Sequence, residues 1–366
     1  MHLALYREFR PKTFDEVVGQ DHIVLALKNQ VKSGNIGHAY LFTGTRGTGK
    51  TSCAKIFSKA INCLNSVDGS PCGKCEVCKA LDDVSNIDIL EIDAASNNGV
   101  DEVRSLREKI KYPPIHGKYK VYIIDEVHML TDSAFNALLK TLEEPPAHAV
   151  FILATTEVYK LPATILSRCM RFDFKLVSKD DLIMILKRVF DFSKIVCDEK
   201  SLEAIALAGD GSVRDTLSVA DCVVAFSGQN ITYEMTMGIL GTNDRQSVIE
   251  LCDRIFERDL GGVLDAINKI SLAGKNLVSL GKEITVNIKD LLVIKNCDNS
   301  KKILNVTQDI YEKLIASSKR VETASLIEFM KKFSNIESEL KYALSPRTLI
   351  ELTALECASF DPLKKN

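Results

Sequence analysis

Short apolar runs punctuate the first 175 residues, at His38–Thr43, Ile87–Ile92, Lys120–Ile124 and Val150–Ala154. Runs this short, nearly continuous and rich in Ile, Val, Leu and Tyr predict parallel strands buried on both faces. Between them the spacing predicts helices over 100–112 and 132–144, stopped by Pro113-Pro114 and Pro145-Pro146. That order predicts an open α/β sheet with helices on both sides. After about residue 178 the strand pattern ends. Ser178 opens a helix that Asp180 and Asp181 support in its first turn. Segments 199–208, 212–226 and 233–240 read as a small helical domain. Beyond Gly241-Thr242 the chain reads helical to its end, with breaks at Gly261-Gly262, Gly274 and Pro346. Boundaries therefore fall near 178 and 242, giving segments 1–177, 178–242 and 243–366.

A chain of 366 residues exceeds one ordinary core, in agreement with that division. Hydrophobic residues at 46% and charged residues at 26% are an ordinary globular composition. No apolar run approaches the ~18 residues that span a bilayer, and no basic-then-apolar leader opens the chain. A cytoplasmic protein without membrane contact is expected. A formal net charge of −2 argues against coating nucleic acid by bulk attraction, while leaving room for a local basic surface.

The first strand runs into Gly44-Thr45-Arg46-Gly47-Thr48-Gly49-Lys50-Thr51, which fits G-x-x-x-x-G-K-[ST] at every fixed position. Glycines let the backbone wrap a phosphate chain with its N–H groups turned inward. Lys50 then reaches the β- and γ-phosphates, and the Thr51 hydroxyl holds Mg²⁺. Ser52 continues into a helix whose positive N-terminus faces the phosphates. A glycine-rich surface turn is the bland reading, and the strand before and helix after count against it.

The strand Val121–Ile124 ends in Asp125-Glu126. Asp125 at that position can hold Mg²⁺ opposite Thr51, and Glu126 can orient and deprotonate the water that attacks the γ-phosphate. Alone, two acids ending a strand are as well explained by solvation. Paired with the phosphate loop they predict ATP hydrolysis as well as binding.

Four of the eleven cysteines cluster as Cys63-x8-Cys72-x2-Cys75-x2-Cys78, with Pro71 and Gly73 supplying the turn. Four soft ligands at that spacing suit tetrahedral Zn²⁺ in a closed, structural site. An iron–sulfur cluster is the rival, though nothing else suggests electron transfer. The remaining cysteines read as small buried apolar residues.

Three further features are bland by themselves. Thr155-Thr156 ends a strand, Arg168 sits in Ser167-Arg168-Cys169, and Arg214 opens a helix in Gly211-Ser212-Val213-Arg214-Asp215. They gain weight from the whole set. Tyr6-Arg7-Glu8-Phe9-Arg10-Pro11, Phe14 to Gln20, His38 to Gly47, the four cysteines, Glu91 to Ser96, Asp125 to Leu130 and Phe135 to Pro146 together resemble the AAA+ clamp-loader ATPases of bacterial DNA polymerase III. The resemblance is strong over 1–242 and mainly architectural from 243 to 360. A zinc insertion after the phosphate loop is its most specific mark.

The resemblance implies an α/β AAA+ core with a parallel sheet and zinc module, a helical lid and an all-α collar. It implies that Thr156 is the first sensor, Arg214 the second sensor on the lid, and Arg168 a finger reaching the neighbouring subunit's ATP. Arg7, Arg10, Pro11 and Val18 match the segment packed on the adenine. The implied partners are other clamp-loader subunits in a ring, including copies of this chain, the sliding clamp and primed DNA. Family members often continue into a tail that binds the polymerase and helicase. This chain stops at Asn366, as either a short form or a truncation would, so contact with the polymerase core does not follow from the resemblance. Two other readings are a DNA-repair or branch-migration ATPase with a similar core, and a nucleotide-binding scaffold without turnover.

Overall fold

The computed structural model describes residues 4–83, 86–240, 243–273, 277–304, 306–340, 343 and 345–360. Five parallel strands form the main sheet: β1 (Ala39–Thr43), β2 (Ile89–Asp93), β3 (Lys120–Asp125), β4 (Ala149–Thr155) and β5 (Met170–Asp173), in the order β2-β3-β4-β1-β5. The first four coincide with the apolar runs. The fifth has no such run, because Met170-Arg171-Phe172-Asp173 is a short, largely exposed edge strand. Edge strands are commonly short and charged, which erases the apolar signal.

Alternate residues of the central strands β1, β3 and β4 feed two cores, one on each face. Leu41, Tyr122, Ile124, Phe151 and Leu153 point to one side, where Val103, Leu106, Phe135, Leu138 and Ile165 cover them. These come from helices α5 (Val100–Ile110), α6 (Asp132–Glu143) and α7 (Ala163–Leu166). Tyr40, Phe42, Val121, Ile123 and Ile152 point to the other side, against Ile23, Leu27, Ile56 and Phe57. Those belong to α2 (Asp21–Ser33) and α3 (Lys50–Ala60); α1 (Leu5–Glu8) precedes them and α4 (Glu76–Asp82) follows. Fully burying one such side chain is worth about 1.5–3 kcal/mol, so both faces must be covered and the strands lose alternation.

Helices α8 (Lys179–Ser193), α9 (Glu199–Ala208), α10 (Val213–Ser227) and α11 (Tyr233–Leu240) follow the sheet. Ser178 caps α8, accepting from Asp181 N–H at 3.2 Å, and Ser212 caps α10, accepting from Asp215 N–H at 3.1 Å. Two-residue strands at Val196–Cys197 and Asn230–Ile231 also occur, too short to leave a pattern in the sequence.

The chain divides into two compact units. One comprises 1–197 and 208–230, the other 198–207 and 231–366. The second unit contains α12 (Asn243–Phe256), α13 (Leu260–Leu272), α14 (Leu277–Asn296), α15 (Ser300–Ile303), α16 (Gln308–Ser318), α17 (Thr323–Glu339) and α18 (Pro346–Ala358). Leu280, Ile284, Ile288 and Leu291 form a buried stripe on α14, and Leu326, Phe329, Phe333 and Ile336 one on α17. Pro346 opens α18, as a proline at the first helical position can. Gly261-Gly262 is no break: both lie in the first turn of α13, where Gly262 N–H donates to the capping Asp259 at 2.9 Å. The breaks read at Gly241-Thr242 and Gly274 lie outside the described residues.

Candidate nucleotide and metal sites

The register of the sheet gathers the acidic, hydroxyl and phosphate-loop residues at one edge. Thr43 pairs with Thr155 and Asp93 with Asp125, so β1, β3 and β4 end side by side. In open α/β sheets, ligands bind beyond the carboxyl ends of the strands. Gly44 N–H donates to Thr155 O at 3.3 Å, tying the loop to the tip of β4.

The loop needs its glycines for two separate reasons. Gly44 has φ +141°, and a Cβ there would lie 2.4 Å from the Phe174 carbonyl oxygen. Gly47 has φ +76°, and a Cβ there would lie 1.9 Å from Ser212 Oγ. The Val213 N–H donates to Gly47 O at 3.1 Å, so the start of α10 rests on the loop. Thr45 and Arg46 are exposed, and the buried Thr48 closes the turn by donating to Thr45 O at 2.9 Å.

Lys50 is 6% exposed and donates to Gly44 O at 2.7 Å and Thr45 O at 2.8 Å. Burial holds its ammonium below the ordinary lysine range, and the Glu126 and Asp125 carboxylates oppose that shift. Thr51 Oγ1 donates to Asp125 Oδ2 at 2.7 Å. A hydroxyl and a carboxylate so placed are hard oxygen donors of the kind Mg²⁺ takes. The next residue, Glu126, adopts the left-handed region at φ +48°, an uncommon conformation for a non-glycine residue. Its Oε2 accepts from Thr156 N–H at 3.3 Å and Thr156 Oγ1 at 3.1 Å. Thr156, chosen from the sequence as the first sensor, thus stands directly on Glu126.

Arg214 begins α10 and places its guanidinium 5.1 Å from the centroid of the Tyr6 ring, a cation–π contact. Arg7 donates to the Tyr6 hydroxyl at 3.1 Å. Arg10 donates to Ser52 Oγ at 3.1 Å, which brings the N-terminal segment onto the phosphate-loop helix. Pro11 and Val18 are half-buried. The fully buried Gln20 fixes this segment by donating to Lys175 O at 2.7 Å and accepting from Lys175 N–H at 3.1 Å. Arg168 stands apart: it donates to Thr164 O at 2.8 Å, Ser167 Oγ at 3.3 Å and Glu143 Oε1 at 2.7 Å. None of these partners belongs to the phosphate loop.

The four sulfurs of Cys63, Cys72, Cys75 and Cys78 lie within 4.8 Å of one another, and Cys72 Sγ is 4.0 Å from Cys78 Sγ. A tetrahedral ion with ~2.3 Å bonds to sulfur sets sulfur–sulfur edges of ~3.8 Å, so the cluster fits such an ion. Backbone N–H groups of Lys74 (3.4 Å) and Cys75 (3.3 Å) donate to Cys72 Sγ and hold its thiol down to about 6. Burial pushes the Cys78 thiol up. Lys28 joins this module to α2, donating to Asp68 at 3.0 Å and to Asp15 at 2.5 Å.

Sequence reading overlooked Tyr6, His128 and Glu143. His128 touches Glu126, Thr155 and Glu157. A histidine three residues past the strand-ending Asp125, on a 3-10 turn over Val127–Met129, was the available signal. Glu143 is a helix-end acid, which gives no such signal.

A phosphate loop on a five-stranded parallel sheet, with an acidic strand one strand removed from it and helices after it, defines an AAA+ P-loop fold. The solved structure of a Thermotoga maritima RuvB variant shares this fold, with TM-score 0.50 and 19% identity over 66% of this chain and 78% of that one. Family models described as DNA polymerase III, delta subunit, as DNA polymerase III clamp loader subunit, ATPase lid domain, and as DNA polymerase III subunits gamma and tau domain III match residues 19–178, 183–229 and 231–365. DNA polymerase III subunit tau of Bacillus subtilis is 41% identical over 353 residues, 96% of this chain and 62% of that protein. The tau subunit of Escherichia coli is 36% identical over 359 residues, 98% of this chain and 56% of that protein. DNA polymerase III subunit gamma of Buchnera aphidicola is 34% identical over 364 residues, 97% of this chain and 98% of that protein. The chain belongs to the family of bacterial DNA polymerase III gamma and tau subunits. It spans 62% and 56% of the length of the Bacillus and Escherichia relatives.

Proposed function

We propose that the chain is the ATP-hydrolysing subunit of a bacterial clamp loader, using ATP to open the sliding clamp and load it on primed DNA. The observation that carries this is the junction of Thr51 with Asp125 at 2.7 Å beside Glu126, in a chain of gamma and tau descent. Lys50 and the loop N–H groups bind the phosphates. Mg²⁺, held by Thr51 and Asp125, would neutralise charge on the phosphates when bound. Glu126, steered by Thr156, accepts the proton of the attacking water.

Arg214 acts from the lid as second sensor, and Arg7, Arg10, Pro11 and Val18 border the adenine. Arg168 serves the neighbouring subunit, in keeping with partners that lie outside its own phosphate loop. It offsets charge that develops on the transferred phosphoryl group. Hydrolysis is therefore a property of an assembly, containing copies of this chain and other loader subunits in the cytoplasm. The cysteine module holds one structural Zn²⁺, which would contribute folding energy and no chemistry. Segments 1–177, 178–242 and 243–366 act as ATPase core, lid and collar.

The likeness to RuvB is one of fold and adds nothing for branch migration. The intact Lys50, Asp125 and Glu126 favour turnover over a passive scaffold. Transfer of labelled clamp to a primed circular template tests the reading. Loading by the assembled wild type, lost in Lys50→Ala, is the expected result; equal loading by both contradicts it.

A further inference from the structure

We propose that His128 is a positioning residue for Glu126; this rests on the ATPase reading above. The ring is almost fully buried, with 6% of its side chain exposed. Its Nε2 lies 3.0 Å from Glu157 Oε2, and its Nδ1 lies 3.0 Å from Thr155 Oγ1. An ionised carboxylate only accepts, so Nε2 must carry a proton. Thr155 Oγ1 accepts the Glu157 backbone N–H at 3.0 Å, so Thr155, Glu157 and the ring form one closed group. Both ring nitrogens thus have a partner, which fixes the plane of the ring.

The consequence falls on Glu126. Its Oε2 stands 3.5 Å from His128 Nδ1, which is also in contact with Thr155 Oγ1. The imidazole packs against that side of the carboxylate. It fills the space on that side and leaves Thr156 N–H and Oγ1 as the donors that set the carboxylate's direction. The carboxylate keeps its aim. Glu157 in turn is anchored by Lys160 Nζ at 2.8 Å and by the Tyr159 hydroxyl, on the 3-10 turn that leads into α7 and then Arg168. His128 thus joins the base of this chain's own site to the segment carrying the residue offered to the neighbour.

The test is steady-state and single-turnover hydrolysis by the full assembly with clamp and primed DNA, beside ADP affinity for each variant. Wild type and Glu126→Gln come first. A wild type without turnover, or a Glu126→Gln as fast as wild type, would remove the ATPase reading itself. With those controls in place, His128→Ala and Glu157→Leu should each lower kcat roughly 10- to 100-fold with ADP affinity unchanged, the range a ~1 Å misplacement costs. Glu157→Gln keeps an acceptor for Nε2–H and should stay near wild type. In the Glu126→Gln background, His128→Ala should cause no further loss, because it acts through that carboxylate. Unchanged kcat, a multiplicative loss in that background, or a fall in ADP affinity equal to the fall in kcat would each overturn the proposal.

Discussion

Thr51 and Asp125 lie 74 positions apart in sequence, yet the hydroxyl of one donates to the carboxylate of the other at 2.7 Å. The contact exists because α3 starts where β1 ends, and β3 ends two strands away in the same sheet. Two oxygen donors fixed by separate elements make a preset site for a divalent cation. Thr51→Val, which keeps the shape and removes the hydroxyl, should weaken Mg²⁺-dependent ATP binding at least tenfold. Binding measured without Mg²⁺ should change little. Titration of a fluorescent ATP analogue with and without Mg²⁺ checks both.

Binding and turnover should separate at Lys50 and Glu126. Lys50 is buried among loop carbonyls and has two carboxylates nearby, so its replacement by Ala removes the cation that faces the phosphates. Lys50→Ala is expected to abolish nucleotide binding. Glu126→Gln keeps the shape and loses the base, so binding should persist while kcat falls about 10²–10⁴-fold. Calorimetry paired with phosphate release distinguishes the two.

Arg168 forms an ion pair with Glu143, and both side chains are partly exposed, at 33% and 48%. Such a pair contributes only about 0.2–1 kcal/mol to folding, so it can open at little cost when a neighbour offers phosphate. Arg168→Ala should leave ATP affinity and melting temperature close to wild type. The stimulation of hydrolysis by clamp and primed DNA should be lost, because the finger that offsets the developing charge is gone.

Four sulfurs within 4.8 Å of one another predict one zinc per chain by elemental analysis. Cys75→Ser should lose that zinc and lower the melting temperature. The two sheet cores do not include the module, so ADP affinity should survive. Iron, or no metal in protein purified without chelator, would contradict the assignment.

Sequence legibility followed the physics of each feature. Strands β1, β3 and β4 were visible because burial on both faces demands an unbroken apolar run; of the two edges, β2 keeps Ile89, Leu90 and Ile92 and was visible, and β5 does not and was not. The phosphate loop was legible because backbone geometry forces glycine at fixed spacing, and Cys72, Cys75 and Cys78 because metal ligands need short loops. Gly261-Gly262 misled because glycine also opens helices where a cap, here Asp259, approaches closely. Tyr6, His128 and Glu143 depend on contacts across the tertiary structure. No local pattern encodes their partners Arg214, Glu157 and Arg168.

The central claim is that this chain's ATP site works as a switch completed by an assembly. ATP hydrolysis by the reconstituted loader, with and without clamp and primed DNA, tests it most directly. The account predicts a low basal rate that rises at least tenfold when both are present, and that Arg168→Ala abolishes the rise. A rate indifferent to clamp and DNA, or full stimulation in Arg168→Ala, would contradict it.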